Sequence, residues 1–155
     1  MPTVESLCSI DSPIGCLRLR AVERGMVAID IGAPAEKALG EQFAFLRDCA
    51  RQLTEYFAGA RRVFADVPIA LRGTSFQLDV WNALERVRFG ETITYGALGS
   101  RLDCGSARAI GQALTRNPLP IIVPCHRVVA ADGDIGGYAC GVAAKRWLLD
   151  HEAAR

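Results

Sequence analysis

The sequence lacks the features that mark membrane, secreted and zinc-binding proteins. No uninterrupted apolar run reaches the roughly 18 residues that a membrane-spanning helix needs. The segment from Met1 to Ile10 has neither a basic start nor a long apolar core, so it does not resemble a signal peptide. We therefore expect a cytoplasmic protein without a membrane partner.

Clustered metal ligands are also missing. The only histidines are His126 and His151, and no two of the six cysteines have Cys-x-x-Cys spacing. We therefore predict that the chain binds no metal. A disulfide framework is equally unexpected in a chain that looks cytosolic. Most of the cysteines should be small core residues, and the question is whether one of them is chemically different.

Lysine is nearly absent, because Lys37 and Lys145 are the only lysines among 18 basic residues. The formal net charge of +1 neither predicts nor excludes a nucleic-acid partner. Arginine suits phosphate and planar groups better than lysine does. Residues 101–127 contain four arginines and a single acid, Asp103, which makes this stretch mildly basic. A solvated surface would produce the same count.

Hydrophobic residues make up half of the 155-residue chain, which is enough for one good core or two small ones. The first half reads as three strands followed by a helix over 35–56, which Gly59 closes. The strands are predicted at 4–10, 15–21 and 26–31. Residues 63–71 contain Pro68 and are predicted to be an extended connector between two halves.

The second half has apolar residues at helical spacing and predicts four helices. They run over 76–87, from Thr94 to Leu102, from Ser106 to about Arg116, and from about Val142 to His151. Thr94 and Ser106 are suitable N-caps, and a tight turn over 103–105 separates their helices. This pair has the outline of a helix-turn-helix, which any two packed helices could also produce.

Cys125 and His126 end a stiff apolar segment. Three prolines exclude a helix or a central strand over residues 117–129, so this segment is predicted to be extended. A thiol is a nucleophile only as the thiolate, which a neighbouring base or cation favours. Adjacent residues of an extended chain point to opposite sides, so His126 would need a turn or a bridging water to take the proton of Cys125. By itself the dipeptide favours a buried cysteine beside a surface histidine.

The run Pro124-Cys125-His126-Arg127-Val128 resembles the active-site signature of the O6-alkylguanine-DNA alkyltransferases, the methylated-DNA–protein-cysteine methyltransferases. Further segments resemble the family in order and approximate spacing, so that the match covers most of the chain. They are 12–15, 55–59, 73–77 with 80–81, 90–96, 107–111, 117–118 and 145–152. The loop 99–106 is slightly shorter than usual, and Cys140 stands where glycine is more common, beside the expected base pocket.

The resemblance implies an α/β fold in two parts. Residues 1–67 would form a small sheet-plus-helix domain of the ribonuclease H-like type. Residues 68–155 would form a mostly helical domain that contains the helix-turn-helix. The expected partner is double-stranded DNA containing O6-alkylguanine, bound by a protein that is a monomer in solution.

The resemblance also implies direct-reversal DNA repair, in which Cys125 takes the alkyl group from O6-alkylguanine and, as a second substrate, from O4-alkylthymine. His126 would deprotonate Cys125 through a water, Glu152 would orient His126, and Tyr95 would donate a proton to the departing guanine. The target base would first be flipped out of the duplex. A thioether has no good leaving group at neutral pH, so one turnover would consume the protein, with no cofactor involved.

The remaining site residues are also implied by the resemblance. Arg108 would be the finger that fills the gap left by the base. Asn117 would hold the turn between the DNA-reading helix and the active-site segment. The base pocket would be lined by Val128, Tyr138 and Ala139, and further DNA contacts would come from Thr94, Ala107, Ala109 and Gly111. Small residues let a helix approach the minor groove closely.

Three alternatives stay open. A cysteine hydrolase that uses Cys125, His126 and Glu152 would turn over repeatedly and ignore DNA. A non-catalytic binder of alkylated DNA would lack the acceptor cysteine, so the presence of Cys125 counts against it. A domain without this chemistry would require the ordered matches to be coincidental.

Overall fold

The structure is a computed structural model that describes residues 5–40, 42–136, 138 and 140–154. The chain divides into two compact units, Met1–Leu71 and Arg72–Arg155. The first combines a sheet with a helix, and the second is mostly helical. The α/β fold implied by the resemblance is thereby confirmed.

The sheet of the first unit has three antiparallel strands in the order of the sequence: β1 (Ser6–Ile10), β2 (Leu17–Val22) and β3 (Gly25–Ile31). All three predicted strands are present, with small shifts at their ends. In β2, Leu17 and Leu19 are fully buried, whereas Arg18 and Arg20 lie on the opposite face and pair with Asp30. This alternation follows the two-residue period of a strand and leaves one apolar face to be covered.

Helix α1 (Ala44–Phe57) packs on this sheet. Its buried face consists of Leu46, Cys49, Gln52, Leu53 and Tyr56, at the three- and four-residue spacing of an amphipathic helix. The helix ends near the predicted place. Ala58 is the C-cap, and Gly59 follows with φ of +79°, a left-handed conformation that glycine adopts readily.

The prediction of a helix over 35–56 was wrong in its first part, because the helix begins only at Ala44. Leu39 lies beside β1 instead, where its backbone N–H and carbonyl each make a 3.0 Å hydrogen bond with Leu7. Gly40 follows with φ of +74°, which a helix does not allow. Pairing with a strand edge therefore overrides the helical spacing of the apolar residues.

The second unit contains α2 (Ser75–Leu84), β4 (Ile93–Thr94), α3 (Tyr95–Arg101), α4 (Ala107–Thr115), β5 (Val128–Val129) and α5 (Val142–Ala153). Strands β4 and β5 pair in parallel, which connects the start of α3 to the chain that follows His126. Fully buried core side chains include Val80, Leu84, Leu98, Ile110 and Leu148. The indole N–H of Trp81 donates to the Ala113 carbonyl at 2.9 Å and links α2 to α4.

Helices α3 and α4 form the predicted helix-turn-helix. The hydroxyls of Thr94 and Ser106 accept hydrogen bonds from the N–H groups of Ala97 and Ala109, both at 3.1 Å, so both predicted N-caps are present. Between the helices the chain turns at Asp103, whose φ is +51°. Local capping and turn residues therefore define this motif.

No helix in the described part of the chain is long and apolar enough to span a bilayer. Across the same residues, no group of three or more His, Cys, Asp or Glu side chains is arranged to hold a metal ion. A cluster of buried polar side chains does exist around Cys125, and its members are hydrogen-bonded to one another.

Candidate active site

Cys125 lies on a tight turn and not on extended chain. A single 3-10 turn runs from Cys125 to Arg127, whose N–H donates to the Pro124 carbonyl at 3.1 Å. The predicted extended conformation over 117–129 was therefore wrong at Cys125, and also at Ile121, whose φ of +76° turns the chain so that the Val123 N–H donates to the Leu119 carbonyl at 2.9 Å. The 3-10 turn begins after a proline, where a missing N–H costs no helical hydrogen bond. It provides the change of direction that His126 needs if it is to serve Cys125.

Asn117 connects the end of α4 to Cys125. Its side-chain nitrogen donates to the Val123 carbonyl at 2.9 Å and to the Cys125 sulfur at 3.1 Å. Its side-chain oxygen accepts from the Leu119 N–H at 3.0 Å. One amide therefore holds the loop in shape and also contacts the sulfur, so the position of α4 and the position of the nucleophile are coupled.

The thiol of Cys125 is buried, with 7% of the residue exposed. Burial raises its pKa, and hydrogen bonds from Asn117 and Tyr138 and the charge of Lys145 lower it without cancelling the effect of burial. The neighbouring groups therefore favour the thiolate only in part, and the resting sulfur is a thiol at neutral pH. A base must take its proton before the sulfur can attack.

His126 is fully buried, and its Nε2 lies 2.9 Å from Oε2 of Glu152. Burial lowers the pKa of His126, and the hydrogen bond and charge of Glu152 offset this only in part. The imidazole is therefore neutral at neutral pH, and we assign the tautomer in which Nε2–H donates to the carboxylate. Its Nδ1 is then an acceptor that no described residue hydrogen-bonds. A general base requires such a nitrogen.

Arg127 holds Glu152 from the other side, a contact that the sequence did not reveal. Its Nε donates to Oε1 at 2.8 Å, its Nη2 to Oε2 at 3.0 Å and its Nη1 to the Val87 carbonyl at 2.7 Å. Burial alone would raise the pKa of Glu152, but the hydrogen bonds from His126 and Arg127 hold it well below its usual range. Arg127 is itself buried, so the basic stretch over 101–127 presents one arginine fewer to solvent.

Lys145 is a second buried cation that the sequence analysis missed. Only 1% of it is exposed, and its Nζ donates to the Val128 carbonyl at 2.6 Å. Burial lowers its pKa, and the nearby charges of Cys125 and Asp134 act in the opposite direction. The scarcity of lysine in an arginine-rich chain and the place of Lys145 at the start of the family-like segment 145–152 were the signals that could have drawn attention to it. Its ammonium group supports β5 and adds positive charge near the sulfur.

A cavity of about 870 Å³ opens beside Cys125. It brings together six of the predicted site residues: Tyr95, Arg108, Ala109, Gly111, Cys125 and Tyr138. Residues from the start of α2 and the end of α4 also line it and were not predicted, namely Thr74, Phe76, Gln77, Gln112, Ala113, Leu114, Thr115 and Arg116. Its volume lies in the usual range for ligand pockets, about 300–1,000 Å³. This volume is sufficient for a molecule of nucleotide size.

Other predicted site residues lie apart from the cavity wall, as far as the described residues show. The hydroxyl of Thr94 is used as the α3 cap, and Ala107 is exposed at the start of α4. Val128 is fully buried in β5. Asn117 contacts the sulfur without lining the cavity. Ala139 lies outside the described residues.

Tyr95 begins α3 and lines the cavity near Cys125. Burial, and after it the negative charge of a Cys125 thiolate, raise the pKa of the phenol. Its hydroxyl therefore keeps its proton at neutral pH and can donate it. Gly136 passes close by with φ of +72°, and a Cβ at this position would lie 3.0 Å from the Tyr95 hydroxyl oxygen. Glycine leaves the room that the phenol needs.

Arg108 is exposed near the N-terminus of α4, at the edge of the cavity. Within the described residues no carboxylate forms an ion pair with it. Its guanidinium is therefore available to a molecule outside the chain.

These features are typical of a class of protein in which a buried cysteine, with a neutral histidine and an ionised carboxylate beside it, serves as a nucleophile, here next to a helix-turn-helix. Comparison with known proteins agrees. Residues 8–71 match the ribonuclease-like domain of 6-O-methylguanine DNA methyltransferase, and residues 75–154 match its DNA binding domain. The chain belongs to the 6-O-methylguanine DNA methyltransferase family, as the resemblance of the sequence indicated.

Individual relatives are similar over nearly the whole chain. The methylated-DNA–protein-cysteine methyltransferase of Methanosarcina acetivorans is 42% identical over 150 residues, covering 93% of this chain and 96% of the relative. The crystal structure of the Mycobacterium tuberculosis O6-methylguanine methyltransferase is 37% identical with a TM-score of 0.87, covering 98% of this chain and 94% of that one. A second M. tuberculosis structure, solved in complex with DNA, is 38% identical with a TM-score of 0.85, covering 96% and 92%.

Proposed function

We propose that this protein repairs alkylated DNA by moving the alkyl group of O6-alkylguanine irreversibly to its own Cys125. The observation that carries the proposal is a group of three buried side chains, Cys125, His126 and Glu152. Cys125 lines a nucleotide-sized cavity, and His126, the next residue, is hydrogen-bonded to Glu152. Membership of the 6-O-methylguanine DNA methyltransferase family supports the same reaction. The proposal describes a monomer that acts in the cytoplasm and uses neither a metal nor a soluble cofactor.

The proton of Cys125 leaves before the sulfur attacks. Nδ1 of His126 is the acceptor, and a water between it and the sulfur carries the proton. The resulting imidazolium is stabilised by the Glu152 carboxylate, 2.9 Å from Nε2. The raised pKa of the thiol makes this base necessary, because burial keeps the sulfur protonated in the resting protein.

The thiolate then attacks the alkyl carbon. A carbon–sulfur bond forms while the bond from that carbon to O6 breaks, and the electron pair of the broken bond stays on the guanine. Tyr95 donates a proton to the departing guanine, since its raised pKa has kept the phenol protonated until then. The products are unmodified guanine and a thioether on Cys125. A thioether is not displaced at neutral pH, so each molecule reacts once.

DNA has to deliver the base to this site. A carbon on O6 of a stacked base is out of reach, so the base must be flipped out at a cost of a few kcal/mol. Arg108 would fill the gap in the duplex, and the small side chains of Ala107, Ala109 and Gly111 would let α4 approach the minor groove. The M. tuberculosis relative solved in complex with DNA supports duplex DNA as the partner.

The same proposal assigns residues to the pocket that would hold the flipped base. Tyr138, which lines the cavity, would contact the flipped base, together with Ala139. Asn117 and Val128 would support this pocket from behind, and Thr94 would hold the start of the DNA-contacting helix pair. O4-alkylthymine would react as a second substrate, because it also carries its alkyl group on an exocyclic oxygen at the Watson–Crick edge.

The direct test is intact-mass analysis after incubation with a duplex that contains one O6-methylguanine. We expect each protein molecule to exchange one proton for one methyl group, and peptide mapping to find that group on Cys125. The variant Cys125→Ala should gain no mass and still bind the duplex. Cys16→Ala, which changes a cysteine of the other unit, should react like the unaltered protein. Absence of any mass gain in the unaltered protein would overturn the proposal.

The cysteine hydrolase is distinguished by stoichiometry. With the methylated duplex in large excess, the proposed reaction stops when one methyl group has been removed per protein molecule. A hydrolase that ignores DNA would remove no methyl group from the duplex and would leave Cys125 unmodified. Counting repaired guanines against protein molecules separates these two reactions.

A further inference from the structure

Arg127 is a buried cation to which the proposed reaction gives no part. Its guanidinium donates two hydrogen bonds to Glu152, at 2.8 and 3.0 Å, and a third to the Val87 carbonyl at 2.7 Å. Both side chains are buried, with relative exposures of 8% and 2%. A paired and parallel contact of this kind holds a carboxylate in both position and orientation.

We propose that Arg127 is a positioning residue, which keeps the Glu152–His126 pair free of an extra proton so that Nδ1 of His126 can accept the proton of Cys125. This inference rests on the proposed function, since it concerns the base of that reaction. It gives Arg127 a role in the reaction without any contact with substrate.

The charges around the imidazole explain how Arg127 would keep the Glu152–His126 pair free of an extra proton. Glu152 and Lys145 face it from α5, Arg127 faces it from its own turn, and the thiol of Cys125 is the adjacent titratable group. The charges of Arg127 and Glu152 neutralise each other. Arg127, Glu152 and a neutral His126 together therefore carry no net charge. Protonating His126 would add an uncompensated positive charge to a buried site, which is costly.

Removing the guanidinium would favour protonation of the Glu152–His126 pair. Glu152 would then be a buried carboxylate with the imidazole N–H as its main donor, and the Glu152–His126 pair would take up one proton. If the proton goes to the imidazole, both ring nitrogens carry hydrogen. If it goes to the carboxyl group, the acid donates to Nε2 and forces the tautomer with hydrogen on Nδ1. In both cases Nδ1 can no longer accept a proton.

The test is the pH dependence of single-turnover methyl transfer, measured from about pH 5 to about pH 9 with Arg127→Met and Arg127→Lys. The active form has an unprotonated pair, so the rate falls as pH decreases through the apparent pKa of the pair. Arg127→Met should move this acid-side midpoint upward by about one pH unit or more, which lowers the rate about tenfold on the acid side, while the rates converge at high pH. Arg127→Lys keeps the positive charge, so its midpoint should lie close to that of the unaltered protein.

The outcomes separate the two proposals. Failure of the unaltered protein to take up methyl would overturn the proposed function itself. If the unaltered protein reacts and Arg127→Met reacts with the same midpoint, or is slower by one factor at every pH, the positioning role is wrong. A general structural defect would lower the rate without moving the midpoint.

A second measurement does not depend on Arg127→Met being folded. His126 and His151 are the only histidines, so His151→Gln leaves a single imidazole to follow by NMR. With Arg127 present, we expect His126 to titrate below the ordinary value of about 6.5, although a carboxylate lies 2.9 Å away. A midpoint well above this value would show that Arg127 does not keep the pair unprotonated, and would overturn the inference.

Discussion

The side-chain nitrogen of Asn117 lies 3.1 Å from the sulfur of Cys125 and also holds the Val123 carbonyl at 2.9 Å. Asn117→Ala would remove both bonds, together with the acceptor for the Leu119 N–H. We expect the free energy of unfolding to fall by about 1–3 kcal/mol, the usual cost of unsatisfied buried groups. Methyl transfer should also slow, because a donor that lowers the pKa of the thiol is lost.

Urea unfolding and single-turnover transfer measure these two effects. Asn82→Ala, at an exposed position of α2, is the matched control and should change neither. An Asn117→Ala protein with unaltered stability and rate would mean that the contact with the sulfur has no energetic consequence.

Arg108→Ala should weaken the reaction with lesions in duplex DNA more than the reaction with the free alkylated base. A free base needs no flipping and leaves no gap in a duplex for the guanidinium to fill. The ratio of the two rates, measured for the variant and for the unaltered protein, reports this difference. Arg24→Ala, an equal change of charge at an exposed position of the first unit, should leave the ratio unchanged. Equal losses on both substrates would contradict the finger role of Arg108.

His126 should make the folded state less stable as pH falls below the ordinary histidine value of about 6.5. Burial lowers its pKa in the folded protein, so the unfolded chain binds the proton more readily. Stability from this group is complete above the unfolded pKa and is lost as pH falls toward the folded one, with a limiting slope of about 1.4 kcal/mol per pH unit.

Chemical unfolding between about pH 6.5 and about pH 5 tests this, above the range in which carboxyl groups dominate. His126→Gln should flatten the decline, and His151→Gln should keep it. If the two variants show the same pH dependence, the decline has another source.

Gly99→Ala should destabilise the helix-turn-helix by about 1–3 kcal/mol, because a Cβ at this position would clash with the backbone carbonyl of Cys104. Gly96→Ala, in the same helix, meets no neighbour within 4 Å and should stabilise the protein by about 0.5–1 kcal/mol through helix propensity. Thermal or urea unfolding of the two variants should give shifts of opposite sign. Shifts of equal sign would show that the turn can move away from the new methyl group.

Local features of the second unit could be predicted from the sequence because their causes lie within a few residues. Thr94 and Ser106 cap their helices by accepting hydrogen bonds from N–H groups three residues later. Capping of this kind depends on the residue type and on the next helical turn alone. The cysteine of the site was found in a similar way, because a short run around Cys125 resembles a family signature.

Two of the differences share a cause, which is pairing between residues that lie far apart in the chain. Leu39 joins the edge of β1 through Leu7, and that contact replaces the first part of the helix predicted over 35–56. Arg127 was counted in the basic stretch over 101–127, yet its carboxylate partner lies 25 residues further along the chain. No local sequence pattern indicates such partners.

The sequence by itself determined the helix-turn-helix and the family, and it indicated Cys125 as the proposed alkyl acceptor, since these depend on short runs of residue types. Tertiary structure alone decided the chemical state of Cys125 and of His126. Burial raises the pKa of the Cys125 thiol and lowers that of His126, while Arg127 and Glu152 neutralise each other behind them. Desolvation and paired charges exist only after distant segments have packed together, which is why the sequence could name the residues but not their protonation.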